Sequence, residues 1–168
     1  MTFASRTGYT AGVAEAIGKT LNESGVQAEI LPMREVKDLV PYSAFIIGSA
    51  IQGAKWLPEA IRFITSNKRI FEEKPCAMFT VCMTLAMKGG EKYRDGIAEW
   101  VKPVRSVLKP LHEEIFAGGL DIRKLPSLSD RLRFRLSVLF GVWREGDHRD
   151  WEAIEKWAKE LKPLLIEK

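Results

Sequence analysis

Short apolar segments alternate with helical patterns along this chain at intervals of roughly 30 residues, and this alternation limits the fold more than any other feature. The clearest segments are residues 44–47 and 76–83, which are almost entirely apolar and therefore suit strands buried on both faces. Such strands occur in parallel sheets that carry helices on both sides. The sequence predicts a three-layer α/β sandwich with a five-stranded parallel sheet.

The hydrophobic periodicity predicts where the individual strands and helices lie. The predicted strands are residues 1–4, 26–30, 44–47, 76–83 and 114–118, with Gly48 ending the third. The predicted helices begin near Ala11, at residue 57, before Ile97 and at an N-cap on Asp150, with a shorter helical turn at residues 36–39. Pro103 is expected to bend or break the third helix, and the last helix is expected to bury Trp151, Ile154, Trp157 and Leu161.

Length and composition favour one globular domain, residues 1–168, with 46% hydrophobic and 29% charged residues. No apolar stretch has the roughly 18 residues of a membrane span, and no signal-peptide pattern is present. Cys76 and Cys82 lie six residues apart in a predicted strand and are expected to be reduced thiols on one face. These features indicate a cytoplasmic protein.

The formal charge is +4, and much of the excess lies within residues 121–135. The basic residues there are Arg123, Lys124, Arg131, Arg133 and Arg135, against Asp121 and Asp130. A local basic patch favours an anionic partner such as a membrane surface or an acidic protein. No nucleic-acid recognition motif accompanies the charge, so no nucleic acid is expected as a partner.

A hydroxyl-rich turn follows the first predicted strand and precedes the first helix. The turn consists of Ser5, Arg6, Thr7, Gly8, Tyr9 and Thr10. The unpaired amides and the positive dipole end of a helix favour an anion at this position, and a glycine lets the backbone approach it. The turn is a candidate phosphate site; the alternative is an ordinary N-cap at Thr10.

Two further loops are predicted at the same edge if the strand order is 2-1-3-4-5, because the chain then reverses direction beside the first strand. The candidate residues are Ser49, Ala50, Ile51, Gln52, Gly53 and Trp56 in one loop, and Cys82, Met83, Thr84 and Leu85 in the other. Trp56 is placed to stack on a flat heterocycle, a contact worth about 0.5–1.5 kcal/mol. The alternatives are packing of Trp56 on a neighbouring loop and plain core packing at Met83 and Leu85.

The order of these features resembles the flavodoxin-like superfamily, whose phosphate loop for flavin mononucleotide (FMN) is matched by Ser5-x-Thr7-Gly8-x-Thr10. Flavodoxin is the type example of the 2-1-3-4-5 order. Within the superfamily the chain resembles the branch containing menaquinone-dependent protoporphyrinogen dehydrogenase, and the match covers nearly the whole chain. The segments that carry this finer resemblance are residues 47–51, 116–120, 128–140 and 150–152.

The resemblance implies that FMN binds with its phosphate at residues 5–10 and its ring between residues 49–56 and 82–85. The flavin would then carry the redox chemistry, so no catalytic side chain or metal is expected, and His112 and His148 are expected at the surface. Relatives usually have several more residues before the phosphate loop, which leaves open a truncated N-terminus. The loop at residues 52–56 departs from the aromatic, histidine-bearing loop of the dehydrogenase, which leaves the substrate open.

The first functional hypothesis is an FMN-dependent oxidoreductase that passes electrons from an organic donor towards a quinone. The second is a flavodoxin-type carrier between redox proteins, although such carriers are typically acidic and this chain is basic. A scaffold protein without flavin is a third alternative, which the phosphate loop disfavours. Self-association of the protein into a homo-oligomer is also left open.

Residues 121–149 are interpreted as a basic-aromatic insert after the fifth strand. Its leucines and Phe140 can line one side, with Arg131, Arg133 and Arg135 nearby, a pattern suited to an anionic bilayer on the inner face of the membrane. The alternative is an insert that packs on the sheet edge with solvated arginines.

Overall fold

The computed structural model of the protein describes residues 1–125 and 127–166, in which a parallel sheet lies between two layers of helices. The strands are β1 (Thr2–Ala4), β2 (Leu31–Pro32), β3 (Phe45–Gln52), β4 (Lys55–Trp56), β5 (Cys76–Cys82), β6 (His112–Ala117), β7 (Gly119–Leu120) and β8 (Gly146–Asp147). The helices are α1 (Tyr9–Glu23), α2 (Pro58–Ser66), α3 (Lys68–Glu73), α4 (Arg94–Leu108), α5 (Leu128–Leu139) and α6 (Trp151–Ile166).

The main sheet has the order β2-β1-β3-β5-β6, and these five strands are parallel. This confirms the predicted order, because the five strands correspond to the predicted strands taken in sequence. β4 turns back on β3 as an antiparallel hairpin, and β7 pairs antiparallel with β8 in a separate ladder. The order places the end of β1 between β2 and β3, where the loops after β1, β3 and β5 meet.

Alternate residues of the central strands serve two separate cores. Phe45, Ile47 and Met78 pack against the layer formed by α2, α3 and α4, whereas Ile46 and Phe79 pack against α1 and α6. In both sets no residue is more than 5% exposed. The helices therefore cover both faces of the sheet, as predicted, and the apolar runs in β3 and β5 follow from burial on both sides.

The structure corrects the predicted bounds of β3 and of the second strand. β3 continues through Gly48 to Gln52 because it pairs with β1 and β5 as far as Ala50, and its last two residues pair with β4. The Phe79 ring occupies the space above Gly48, where a Cβ would lie 2.0 Å from its Cζ atom. The second strand forms at Leu31–Pro32 rather than at residues 26–30, since β1 offers partners only to those two residues.

The helical predictions also need corrections. Pro103 does not break α4, whose apolar face is buried and holds the helix on the sheet. Trp151 is exposed at 42%, because it stacks on Arg149 instead of entering the core. The turn predicted at residues 36–39 lies earlier, at Met33–Glu35, and the charged helix α3 was missed because its apolar periodicity is short.

None of the helices in the described residues is long and apolar enough to cross a membrane.

Candidate cofactor site

A cleft with a volume of about 240 Å³ lies at the carboxyl edge of the sheet. Four stretches of chain form it: the loop after β1, the end of β3, the end of β5 and the chain that follows β6. Its predicted lining residues are Arg6, Thr7, Tyr9, Thr10, Ala50, Ile51, Gln52 and Met83. Its further lining residues include Gly118, Gly119, Leu120, Asp121, Leu125, Asp130 and Phe134.

The loop after β1 presents the positive end of α1 to a ligand. The Gly12 amide donates to Gly8 O at 3.0 Å, so the amides that precede it have no carbonyl one turn back within the helix. No acidic side chain lies in the first turn, and no side chain caps it. Gly8 has a φ of 89°, and its amide donates to Ser5 Oγ at 3.2 Å, which folds the loop back on itself. This arrangement suits a bound anion.

Tyr9 begins α1, and two cations lie close to its ring. Lys124 Nζ is 5.5 Å from the ring centroid, and Arg149 Cζ is 5.1 Å from it. The ring also lies against the backbone of Gly119, where a Cβ would be 2.3 Å from Tyr9 Cε1. Burial raises the pKa of the Tyr9 hydroxyl, and the nearby carboxylates of Asp121 and Asp147 raise it further. The tyrosine therefore stays protonated beside the phosphate loop.

Arg149 joins the end of the insert to the phosphate loop. Its Nη1 donates to the carbonyl oxygen of Tyr9 at 3.1 Å, and its Nε donates to Asp147 Oδ1 at 2.8 Å. The side chain is only 13% exposed, and its guanidinium lies 4.2 Å from the Trp151 ring. The hydrogen bonds from Arg149 hold the pKa of Asp147 below its ordinary value. The cation is thus fixed from three sides.

Arg6 is partly neutralised, since its Nη2 donates to Glu59 Oε2 of α2 at 3.0 Å. Ser5 and Gly8 line the opposite side of the loop, where a second cavity of about 460 Å³ opens towards Met33 and Phe63. The loop therefore separates two cavities, and only the one described above is reached by the ends of β3 and β5.

Trp56 does not stack on a ligand, contrary to the sequence-based prediction. It is 1% exposed, and its Nε1 donates to Thr80 Oγ1 at 2.9 Å. Ser49 is equally buried; it accepts from the Leu57 amide at 3.1 Å. Thr80 and Ser49 therefore fix the β3–β4 hairpin from inside, while residues 50–52 line the cleft. Gly53 lies at the tip of the hairpin, outside the cleft lining.

Among the residues predicted after β5, only Met83 lines the cleft. Cys82 is buried at the end of the strand, and Cys76 is buried at its start; both are free thiols. Thr84 and Leu85 belong to a short 3-10 turn, Met83–Ala86, that directs them away from the cleft lining. Burial raises the pKa of Cys76 to about 12.

The sequence reasoning missed the contribution of the chain after β6. The Gly118-Gly119 pair at the end of a predicted strand is a signal of close backbone approach and could have indicated this wall. Asp130 and Phe134 of α5 complete the cleft from above. Arg131 also turns inward, where its Nε donates to Leu125 O at 2.7 Å.

His112 and His148 play no part in the cleft. His112 begins β6, and its Nδ1 accepts a hydrogen bond from Trp157 Nε1 at 2.7 Å. The described residues contain no cluster of histidine, cysteine or acidic side chains that could hold a metal ion.

A parallel sheet of this order with an anion-binding loop at its switch point defines an α/β protein of the flavodoxin-like fold, built to hold a phosphate-bearing ligand. The sequence model of the flavodoxin domain matches residues 1–138, and the chain belongs to this family. No curated protein matches the sequence significantly.

Solved flavodoxins share the fold at low sequence identity. The flavodoxin of Streptococcus pneumonia TIGR4 superposes with a TM-score of 0.58 at 15% identity, covering 95% of this chain and 94% of that one. A short-chain flavodoxin associated with a bacterial microcompartment gives a TM-score of 0.57 at 12% identity, covering 95% and 93%. The Megasphaera elsdenii flavodoxin gives 0.51 at 13%, covering 75% and 86%.

FMN is the cofactor of this flavodoxin-domain protein, and the residues of the cleft fit it. The α1 amides offer donors to a phosphate without a competing carboxylate in the first turn. Ile51, Met83 and Leu120 provide apolar surface for a flat ring. The chain is thus a redox flavoprotein by family.

Proposed function

We propose that this protein is an FMN-dependent oxidoreductase that passes electrons from an organic donor towards a quinone. The observation that carries the proposal is the position of α5, whose Asp130 and Phe134 line the same cleft as the phosphate loop. A carrier that meets its partners at an open flavin edge does not need such a cover, whereas an enzyme gains a partly enclosed space beside the ring.

When bound, FMN supplies the electron-transfer chemistry. The protein binds and orients the cofactor through the α1 amides and Thr7, and it excludes water with Leu120, Leu125 and Phe134. Asp121 and Asp130 are the carboxylates in the cleft lining. The hydrogen bonds from Arg123 hold the pKa of Asp121 below its ordinary value, so Asp121 supplies negative charge there rather than a proton.

The resemblance to menaquinone-dependent protoporphyrinogen dehydrogenase makes a porphyrinogen the first donor to test and a menaquinone analogue the first acceptor. The second candidate is an electron carrier between redox proteins. It is favoured by the overall likeness to flavodoxins and by the absence of a nucleophile–base pair among the described residues that line the cleft. The basic charge of the chain disfavours it.

Anaerobic reduction followed by rapid mixing separates the two candidates. An enzyme of the proposed kind is reduced by the porphyrinogen and reoxidised by a water-soluble menaquinone analogue, with saturation in each substrate. A carrier exchanges electrons quickly with protein partners and shows no saturable reaction with either small molecule. The proposal would be overturned if neither the porphyrinogen nor the menaquinone analogue gave a saturable reaction.

Gly8→Val tests the phosphate loop, because a β-branched residue at φ 89° strains the backbone that holds the anion. Flavin binding should weaken by more than about a hundredfold, the equivalent of roughly 3 kcal/mol, as measured by fluorescence titration. Gly25→Val is the matched control, since Gly25 has a φ of 85°, lies just beyond the C-cap of α1 and likewise has open space where a Cβ would lie. The control should lose stability but retain FMN; equal flavin affinity in both variants would contradict the assignment.

A further inference from the structure

Helix α5 exposes its apolar side instead of burying it. Large side chains that are 48% to 78% exposed share this side, and they are Leu128, Leu132, Leu136, Leu139 and Phe140. No residue of α5 is buried, whereas every other α-helix in the described residues buries part of one face. An exposed apolar patch of this size on a folded domain indicates a contact surface.

The inner side of α5 explains why the apolar side faces outward. Asp130 and Phe134 face the cleft, and Phe134 packs against Trp143 with ring centroids 6.1 Å apart. Arg131 anchors the helix to Leu125 O, and Ser127 Oγ caps its start by accepting from the Asp130 amide. These contacts fix the orientation of the helix, so the leucines cannot turn inward without losing them.

Basic side chains flank the exposed leucines. At 100° per residue, the four leucines fall within about 80° of the helix circumference, with Arg135 beside one edge and Arg133 beyond the other. Both arginines are exposed, and the one acidic residue of α5, Asp130, lies on the opposite side. A narrow apolar stripe between cations is typical of helices that lie in the interface of an anionic bilayer.

We propose that the exposed side of α5 docks this protein on an anionic lipid bilayer, with the helix lying in the plane of the headgroups. A second copy of the chain fits the surface less well, because a two-fold contact centred on α5 would bring the flanking arginines of both copies together without a carboxylate between them. The anionic headgroups supply the missing countercharge.

The docking deepens the proposed function. Only its consequence for electron transfer rests on that function. The cleft opens beneath the inner side of the same helix, so the docked protein would hold its flavin site next to a membrane-dissolved acceptor. The surface itself depends on neither the flavin nor the acceptor, and its test needs no turnover.

A labelled cysteine tests the contact directly. The native Cys76 and Cys82 are buried, so Leu139→Cys provides one accessible thiol for an environment-sensitive fluorophore on the full chain. Vesicles of phosphatidylcholine with one third phosphatidylglycerol should shift its emission to the blue, and vesicles of phosphatidylcholine alone should shift it much less. Lys156→Cys, on the exposed side of α6, should show no shift with either vesicle. Equal behaviour of the two labels would overturn the proposal.

Cosedimentation with the same vesicles separates the apolar and the charged contributions. Leu132→Ser with Leu136→Ser should weaken binding at least about tenfold. Arg133→Gln with Arg135→Gln should weaken it about 25-fold, at roughly fivefold for each arginine. Lys156→Gln with Lys159→Gln removes the same charge from α6, and Leu111→Ser removes a 43% exposed leucine elsewhere; both should bind like the wild type.

The outcomes separate the docking from the proposed function. Binding that the α5 variants leave unchanged would overturn it, as would dimerisation of the wild type that the leucine variants abolish, since a second copy would then cover the stripe. The substituted side chains are exposed, so the variants should keep their circular dichroism and their FMN affinity. Loss of vesicle binding with retained FMN affinity supports the docking, while membrane binding without FMN affinity would remove only the proposed function.

Discussion

At the scale of single residues, the candidate site depends on cations and hydrogen bonds that reach across the sequence. Arg149 lies 140 residues from Tyr9, yet it donates to the Tyr9 carbonyl and lies over the Tyr9 ring. Its Nη1 atom also lies 2.2 Å from where a Cβ on Gly12 would be, so the first turn of α1 accommodates the guanidinium closely. The phosphate loop is therefore held in place by the end of the insert.

Arg149→Met tests this role, because methionine keeps much of the packing but loses the donors. We expect the dissociation constant of FMN to rise about tenfold, which corresponds to 1.4 kcal/mol, by fluorescence titration. Arg149→Lys should fall between the wild type and the methionine variant, since it keeps the charge without the fork geometry. Wild-type affinity in Arg149→Met, together with a lower unfolding midpoint, would mean that the arginine supports only the fold.

The Asp147–Arg149 pair gives the stability a defined pH dependence. The pKa of Asp147 is lowered in the folded state by the hydrogen bonds from Arg149. The pair therefore stabilises the protein fully above the ordinary aspartate pKa of about 3.9, and the contribution is lost as the pH falls through the lowered value. Asp147 is partly exposed, so we expect about 0.2–1 kcal/mol.

Urea unfolding of the wild type and Asp147→Asn at a series of pH values measures that contribution. The difference in unfolding free energy should be constant between pH 5 and 7 and should shrink below about pH 4. A difference that persists undiminished at pH 3 would show that the asparagine acts through packing rather than through charge.

Trp56→Phe measures the buried hydrogen bond that the sequence could not reveal. The change leaves Thr80 Oγ1 without its donor in a fully buried position and should lower the free energy of unfolding by about 1–3 kcal/mol. The FMN dissociation constant should change less than about twofold, because the indole does not line the cleft. A large loss of flavin affinity at unchanged stability would restore the stacking role predicted from the sequence.

At the scale of elements, the hairpin formed by β3 and β4 contributes one wall of the cleft. Its turn contains Gly53 and Ala54, with φ angles of 59° and 58°. Two successive left-handed residues match the twist of a tight hairpin, but an alanine in this region is strained. The strain is maintained by the buried contacts of Trp56 and Ser49 on the adjoining strands.

Ala54→Gly should therefore raise the free energy of unfolding by about 0.5–1 kcal/mol, as measured by urea denaturation. Ala98→Gly in the middle of α4 is the control, and it should lower the same quantity by about 0.5–1 kcal/mol because a glycine weakens a helix. If both variants lost stability equally, the turn at Ala54 would carry no strain.

The central strands were predictable from sequence because burial on both faces requires an apolar run: every residue of β5 is apolar or small, and every one is buried. The second strand was misplaced because its two-residue pairing with β1 requires no such run. The phosphate loop was also visible, since a hydroxyl-rich turn between strand and helix has a known use. The environment of Trp56 was not visible, because its partner Thr80 lies 24 residues away. Nor could periodicity reveal that the leucines of α5 face outward, since an amphipathic pattern does not state which side meets the core.

At the scale of the whole molecule, charge and access to the cleft are coupled. The cleft lining itself carries both signs of charge, with Arg6, Asp121 and Asp130. The positive excess lies beside it, at Lys124 next to the Tyr9 ring and at the exposed arginines of α5. A surface with an excess of one sign of charge attracts oppositely charged reactants, and salt screens that attraction.

Small oxidants of opposite charge should therefore respond to salt in opposite ways. Ferricyanide should reoxidise the reduced holoprotein fastest at low ionic strength, with a rate that falls roughly tenfold between 0.01 and 0.5 M salt. A cationic ruthenium hexaammine complex should react more slowly at low salt and speed up as salt is added. Arg133→Gln with Arg135→Gln should flatten both dependences more than Lys156→Gln with Lys159→Gln, because only the first pair belongs to the helix that covers the cleft. Stopped-flow measurement gives the dependence of each reoxidation rate on salt concentration. An acidic carrier would show both dependences with the opposite sign, so the pair of signs contradicts either the proposed positive field or the acidic carrier.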